Sequence, residues 1–125
     1  MADQALNTSL SLSTPGTVNG IFGLNNTQTT SVNFDDTSVA SSTVEIVTGG
    51  TEIYAVGITD VRYVYISNTS GADSVEIGEA SGTKKYANLG PGEWMFLPVN
   101  ASMGVKGWTA AGKTAIVQYA WFTKV

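Results

Sequence analysis

The chain has 125 residues, no cysteine and no histidine, and its ten acidic and six basic residues give a net charge of −4. This composition excludes disulfides, thiolate nucleophiles, cysteine-type zinc sites and Ser–His–Asp triads. Nucleic-acid binders usually carry a basic patch, whereas the lysines and arginines here are few and scattered, so we expect no nucleic-acid partner. The N-terminus has no signal-peptide pattern and no apolar run is long enough for a membrane span, so we expect synthesis in a cytoplasm and no membrane partner.

Residues 1–40 differ in composition from the rest of the chain. They contain no lysine or arginine and only two aromatic residues. Such a segment buries too little apolar surface to offset its ordering entropy alone, so we predict an extended polar N-terminal arm on a domain spanning residues 41–125. Short apolar stretches in the arm either dock on a partner or pack on the chain's own sheet. The candidate partner-binding residues of the arm are Leu10, Leu12, Phe22, Leu24 and Phe34.

From residue 41 onward, short apolar stretches alternate with turn signals. Residues 42–48 and 51–58 are rich in β-branched side chains and flank Gly49-Gly50, so the pattern predicts a β-hairpin. Residues 61–67 are apolar on both faces, which predicts a central strand. Pro98 has no N–H to donate, so the strand containing it ends there or lies at a sheet edge. The remaining strands are predicted at residues 73–79, 83–89, 93–99, 103–109 and 113–124.

The longest of these strands shows regular alternation. Ala115, Val117, Tyr119 and Trp121 share one of its faces. About eight short strands separated by turn signals indicate an all-β fold, an antiparallel β-sandwich with an extended N-terminal arm. Periodicity does not determine strand connectivity, so both a jelly-roll order and an immunoglobulin-like order remain open.

The three tryptophans, Trp94, Trp108 and Trp121, could form an aromatic platform for a sugar or a peptide. Packing in the core or in an interface is the favoured alternative, because aromatic pairs that share a strand face commonly lie in a core. Trp94 shares a face with Phe96, and Trp121 shares one with Tyr119.

The carboxylates give weak signals for chemistry. The pairs Asp35-Asp36 and Glu76/Glu79 could contribute oxygen ligands for Ca²⁺, but no calcium-loop motif is present. Glu76 and Glu79 are more simply explained as an exposed strand face opposite Lys84 and Lys85. Glu45 and Glu52 flank the Gly49-Gly50 turn and supply the minimum for glycoside hydrolysis, without any pattern for a cleft. We therefore predict no catalytic residue, no metal site, no cofactor and no enzyme activity.

Four stretches together carry a family resemblance. They are Tyr65-Ile66-Ser67-Asn68-Thr69, Val75-Glu76-Ile77-Gly78, Leu89-Gly90-Pro91-Gly92-Glu93 and the strand at residues 115–120. The pattern resembles small virion proteins of tailed bacteriophages, particularly capsid decoration (cement) proteins of β-sandwich or jelly-roll type. The resemblance implies a virion structural protein that binds the outer surface of a phage head and stabilises the shell as a homotrimer, with the major capsid protein as partner. A phage tail or fibre component and a carbohydrate-binding β-sandwich module are the alternatives.

Overall fold

The computed structural model describes residues 4–13, 25–54, 63–81, 84–99 and 103–124, and for residues 4–6, 12–13, 25–27, 32–40 and 123–124 it describes the backbone alone. These ranges contain nine β-strands and no helix. The strands are β1 (Gln4–Ser13), β2 (Asn25–Val47), β3 (Thr51–Tyr54), β4 (Tyr63–Asn68), β5 (Val75–Gly78), β6 (Lys85–Leu89), β7 (Trp94–Pro98), β8 (Val105–Trp108) and β9 (Thr114–Lys124). Accordingly, no helix long and apolar enough to cross a membrane occurs in these ranges.

The strands form two antiparallel sheets that pack face to face. One has five strands in the order β1-β2-β9-β4-β7, and the other has four in the order β3-β8-β5-β6. This confirms the predicted all-β antiparallel β-sandwich. Without β1, each sheet has four strands, in the orders β2-β9-β4-β7 and β3-β8-β5-β6. This is the strand order of a jelly roll. The strand order therefore favours the jelly roll over the immunoglobulin-like alternative.

The core lies between the sheets and is built from the inward faces of the strands. Fully buried side chains include Ile46, Ile66 and Ile77. In β9, Ala115 and Val117 are buried while Ile116 between them is 42% exposed, which confirms the predicted alternation. Because neighbouring side chains of a strand point to opposite faces, this alternation fixes which side of β9 meets the second sheet.

Two strand predictions are confirmed and one is wrong. β4 lies between β9 and β7, as predicted for a central strand, and β7 is an edge strand that ends at Pro98. The predicted hairpin around Gly49-Gly50 is not formed, because β2 and β3 belong to different sheets. Gly50 N donates to Val47 O over 3.0 Å, so the turn is a corner that carries the chain from one sheet to the other.

Part of the predicted arm belongs to the five-stranded sheet. β1 pairs with the first part of β2 in an uninterrupted register from Gln4↔Phe34 to Ser13↔Asn25. β2 then continues past residue 40 and pairs with β9, with a register shift between Phe34 and Val39. One strand therefore crosses the boundary placed after residue 40, and the division into arm and domain stays a prediction.

Candidate functional site: an open strand edge and an aromatic groove

The outer edge of β1 is a long run of strand backbone. β1 is the first strand of the five-stranded sheet and has one neighbour, β2, among the described residues. Its ten residues include no charged residue, no proline and no glycine, and its pairing with β2 has no bulge. A strand with a neighbour on one side can act as a template for pairing with another chain.

The other three sheet edges carry features that discourage such pairing. β3 has four residues, including Glu52, and a register shift interrupts its pairing with β8. β6 begins at Lys85 and its pairing with β5 is also shifted, while β7 has five residues and ends at Pro98. Short length, charge, bulges and proline are the usual ways in which natural sheets protect their edges. The edge of β1 is thus the one described edge without any of these features.

The outer face of the five-stranded sheet carries aromatic side chains next to one another. Tyr63 of β4 stacks on Phe96 of β7, with ring centroids 5.5 Å apart and planes at 10°. Tyr65 and Trp94 form a second pair at 6.4 Å with planes at 40°. Trp94 is 52% exposed, so much of its indole faces solvent.

A groove of about 1000 Å³ lies between this aromatic face and the β1–β2 hairpin. Two sides of the groove differ in chemistry. The side chains of the aromatic wall are Tyr65, Trp94, Phe96 and Phe122. The hairpin wall consists of Thr8, Ser9, Leu10, Gln28, Thr29 and Thr30. Within the described part of the chain, no residue lining the groove is charged.

The five candidate partner-binding residues fall in different positions. Leu10 is 42% exposed and lines the groove. Leu12 lies in β1 and Phe34 in β2, where the backbone alone is described. Phe22 and Leu24 lie outside the described residues. The role of all five residues in binding a partner stays a prediction.

The three tryptophans do not form one platform. Trp121 contacts Tyr54 edge-on at 5.6 Å and packs against the core. Trp108 lies under the ammonium groups of Lys85 and Lys106, at 5.3 and 5.6 Å from its ring centre. Core packing is therefore right for Trp121 and wrong for Trp94, which shares a face with Phe96 as predicted but on the outside of the sandwich. The aromatic wall was missed because an aromatic pair on one strand face is equally typical of a core.

The carboxylates are dispersed over the two sheets. Lys85 Nζ forms an ion pair with Glu76 Oε1 over 3.3 Å, as the cross-strand interpretation predicts. Glu45 lies opposite Ile116 in one sheet and Glu52 opposite Lys106 in the other, so they do not flank a hairpin. Asp35-Asp36 lies in β2, where the backbone alone is described. In the described ranges, no three His, Cys, Asp or Glu side chains cluster as metal ligands.

No family model, curated protein or solved structure matches the chain. Two surfaces of the molecule therefore bear on function, the edge of β1 and the aromatic groove. Both lie on the side of the five-stranded sheet that carries the β1–β2 hairpin, and neither contains a cluster of ionisable groups.

Proposed function

We propose that this chain is a structural protein of a tailed-bacteriophage particle, a capsid decoration protein that binds the outer surface of the head as a homotrimer and stabilises the shell. The major capsid protein is its partner in the particle. The observation that carries the proposal is the place of β1 at the edge of the five-stranded sheet, because a ten-residue edge strand can pair with a strand of another chain.

Strand addition explains how a protein with so few charges can bind another protein firmly. In this mode, backbone hydrogen bonds supply affinity and alternate side chains supply specificity. Alternate side chains of β1, including Leu10, would then lie beside side chains of the added strand on one face of the extended sheet. Because the side chains of β1 are mostly polar, its edge can stay exposed to water until a partner strand pairs with it.

Three-fold assembly sets a condition on the pairing. A strand that pairs with its own copy gives an isologous contact and hence a dimer, whereas a ring of three requires contact between two different surfaces. The edge of β1 must therefore meet a different surface of the neighbouring subunit. Such an arrangement leaves the opposite side of each subunit available to the shell.

The fold and the resemblance add support of a weaker kind. Jelly rolls are frequent in viral capsid proteins and in lectins, which fits a particle protein. A fold alone does not determine function, so the strand order supports the proposal by analogy. The stretches around Tyr65 and Gly90 supply the resemblance to decoration proteins.

A binding assay with two matched variants tests the proposal. Asn7→Lys places a charge on exposed β1, and Asn88→Lys makes the same change on exposed β6, an edge strand of the other sheet. Each purified protein is sedimented with phage heads assembled without this chain. We expect the wild type and Asn88→Lys to sediment with the heads and Asn7→Lys to remain in solution, because a lysine on an edge strand opposes pairing.

Two results would count against the proposal. Failure of the wild type to bind heads would contradict the decoration role. Equal binding of Asn7→Lys and the wild type would remove the β1 edge from the mechanism. Circular dichroism of all three proteins shows whether the substitutions leave the sandwich folded.

A further inference from the structure

The groove between the hairpin and the outer sheet face combines two kinds of surface. On one side, Trp94 and Tyr65 present aromatic rings, and Trp94 is half exposed. On the other, the lining includes Thr8 and Thr30, which lie opposite each other in the β1–β2 register. The Thr8 hydroxyl donates to Thr30 O over 3.2 Å, so it meets a ligand as an acceptor. A ligand that fits both sides must itself have an apolar face and a rim of hydrogen-bonding groups.

We propose that this groove binds a neutral oligosaccharide. A pyranose ring has a flat face of C–H groups that packs on an aromatic ring, and hydroxyls at its rim that exchange hydrogen bonds with polar side chains. Aromatic side chains combined with a few placed polar groups are also the general pattern of small-ligand sites. Trp94 and Tyr65 would stack on the sugar, and the hairpin wall would bind its hydroxyls.

The absence of charge among the groove residues selects the class of sugar. Anionic ligands such as phosphates and acidic sugars are usually held by arginine or lysine. The described lining of the groove contains neither, and it contains no carboxylate for a cation. A neutral saccharide needs no such partner.

The size of the groove favours a chain of sugar units over a single ring. Its volume of about 1000 Å³ lies at the upper end of the range for small-molecule sites. One side of it is formed by paired strands, in which residues 8–10 of β1 pair with residues 28–30 of β2. Because successive side chains of a strand point to opposite faces, Thr8 and Thr30 share a face with Leu10 and Gln28, and this face carries hydroxyl and amide groups along the length of the hairpin.

This site goes beyond the proposed function and does not depend on it. The decoration role rests on the outer edge of β1, whereas the sugar site rests on Trp94 and the hydroxyls that face it. Asn7→Lys tests the first, and substitutions in the groove test the second. A particle protein with both would assemble through its strand edge, bind the shell with the opposite side of each subunit and hold saccharides of a cell envelope in its groove.

Titration calorimetry of the full chain with maltose, cellulose and chitin oligosaccharides tests the site. We expect saturable binding to at least one of them, quenching or shift of tryptophan fluorescence, and weakening by about tenfold or more in Trp94→Ala. Thr30→Val removes a hydroxyl at nearly constant shape and should weaken binding as well. Thr43→Val makes the same change on exposed β2 outside the groove and should leave binding unchanged.

Three outcomes would overturn the proposal. The first is no saturable binding to any of the three oligosaccharide series at millimolar concentration. The second is binding that Trp94→Ala leaves unaltered, since the sugar would then lie elsewhere. The third is a fall in the solution mass of Trp94→Ala without any sugar binding by the wild type, which would assign the aromatic wall to a contact between protein chains.

Discussion

The side-chain amide of Asn68 donates to the backbone carbonyl of Leu89 over 2.9 Å and so joins the end of β4 to the end of β6 in the opposite sheet. The same nitrogen donates to Asp73 O over 2.8 Å, and the side-chain oxygen accepts from the N–H and the hydroxyl of Ser70. Asn68 is fully buried, and its own backbone pairs with Glu93 and Gly92. This asparagine therefore holds together both sheets and the Gly90-Pro91-Gly92 loop.

Replacement of this amide should destabilise the sandwich. Asn68→Asp keeps the shape of the side chain but removes its N–H donors, so Leu89 O loses the amide bond and Asp73 O keeps the Ser70 hydroxyl as its side-chain donor. It also places a carboxylate beside these carbonyls. We expect the free energy of unfolding to fall by about 1–3 kcal/mol, because a buried carbonyl loses its donor. Urea unfolding measures the loss. Asn88→Asp, on the exposed side of β6, is the matched control and should change stability by less than about 0.5 kcal/mol. Equal effects of the two substitutions would contradict a structural role for Asn68.

The corner between β2 and β3 offers a second test with adjacent residues. Gly50 has a φ of +99°, and a Cβ on it would come within 2.6 Å of the Trp108 indole nitrogen. A Cβ on Gly49 would meet nothing within 4 Å. We expect Gly50→Ala to destabilise by about 1–3 kcal/mol, and Gly49→Ala to be neutral or slightly stabilising because it restricts the unfolded chain. Thermal unfolding of the two variants measures these changes in stability. A larger loss of stability in Gly49→Ala than in Gly50→Ala would contradict this description of the corner.

The raised pKa of the Tyr86 hydroxyl leads us to expect a loss of stability at high pH. Partial burial, followed by the nearby carboxylate of Glu79, raises the pKa of the Tyr86 hydroxyl above its ordinary value. Between the ordinary value of about 10 and this raised value, the folded chain keeps a proton that the unfolded chain releases, so stability falls as pH rises. We expect Tyr86→Phe to reduce this fall, and Glu79→Gln to reduce it by a smaller amount. Unfolding midpoints across alkaline pH measure both, and identical pH profiles for wild type and Tyr86→Phe would refute the assignment.

Much of the fold can be predicted from the sequence, because alternation and turn residues mark each strand. β9 shows this well, since the side chains predicted to share its inner face include the buried Ala115 and Val117. Pro98 likewise predicts that β7 ends there or lies at an edge, and in the structure β7 does both.

Connectivity could not be predicted. The alternation of apolar residues indicates which face of a strand is buried, but it does not indicate which sheet the strand joins. Gly49-Gly50 is compatible with a hairpin and equally with a corner between sheets, and the jelly-roll order requires the corner.

The aromatic wall of the candidate site could not be predicted. The pairing of Trp94 with Phe96 on one strand face favours core packing, and the two apolar faces of residues 61–67 favour a central position for Tyr65. The sequence does select Leu10 as a partner contact, and the structure places it in the lining of the groove, while its role in binding stays a prediction. Sequence alone does not show that the second apolar face of a strand lies toward an open groove under a hairpin.

The mass of the protein in solution tests the central claim, that the edge of β1 drives assembly. Sedimentation equilibrium should give the wild type and Asn88→Lys three times the 13.1 kDa of the chain, and Asn7→Lys the mass of one chain at the same concentration. A wild type that remains a single chain at every concentration, or an Asn7→Lys variant that assembles as the wild type does, would contradict the account.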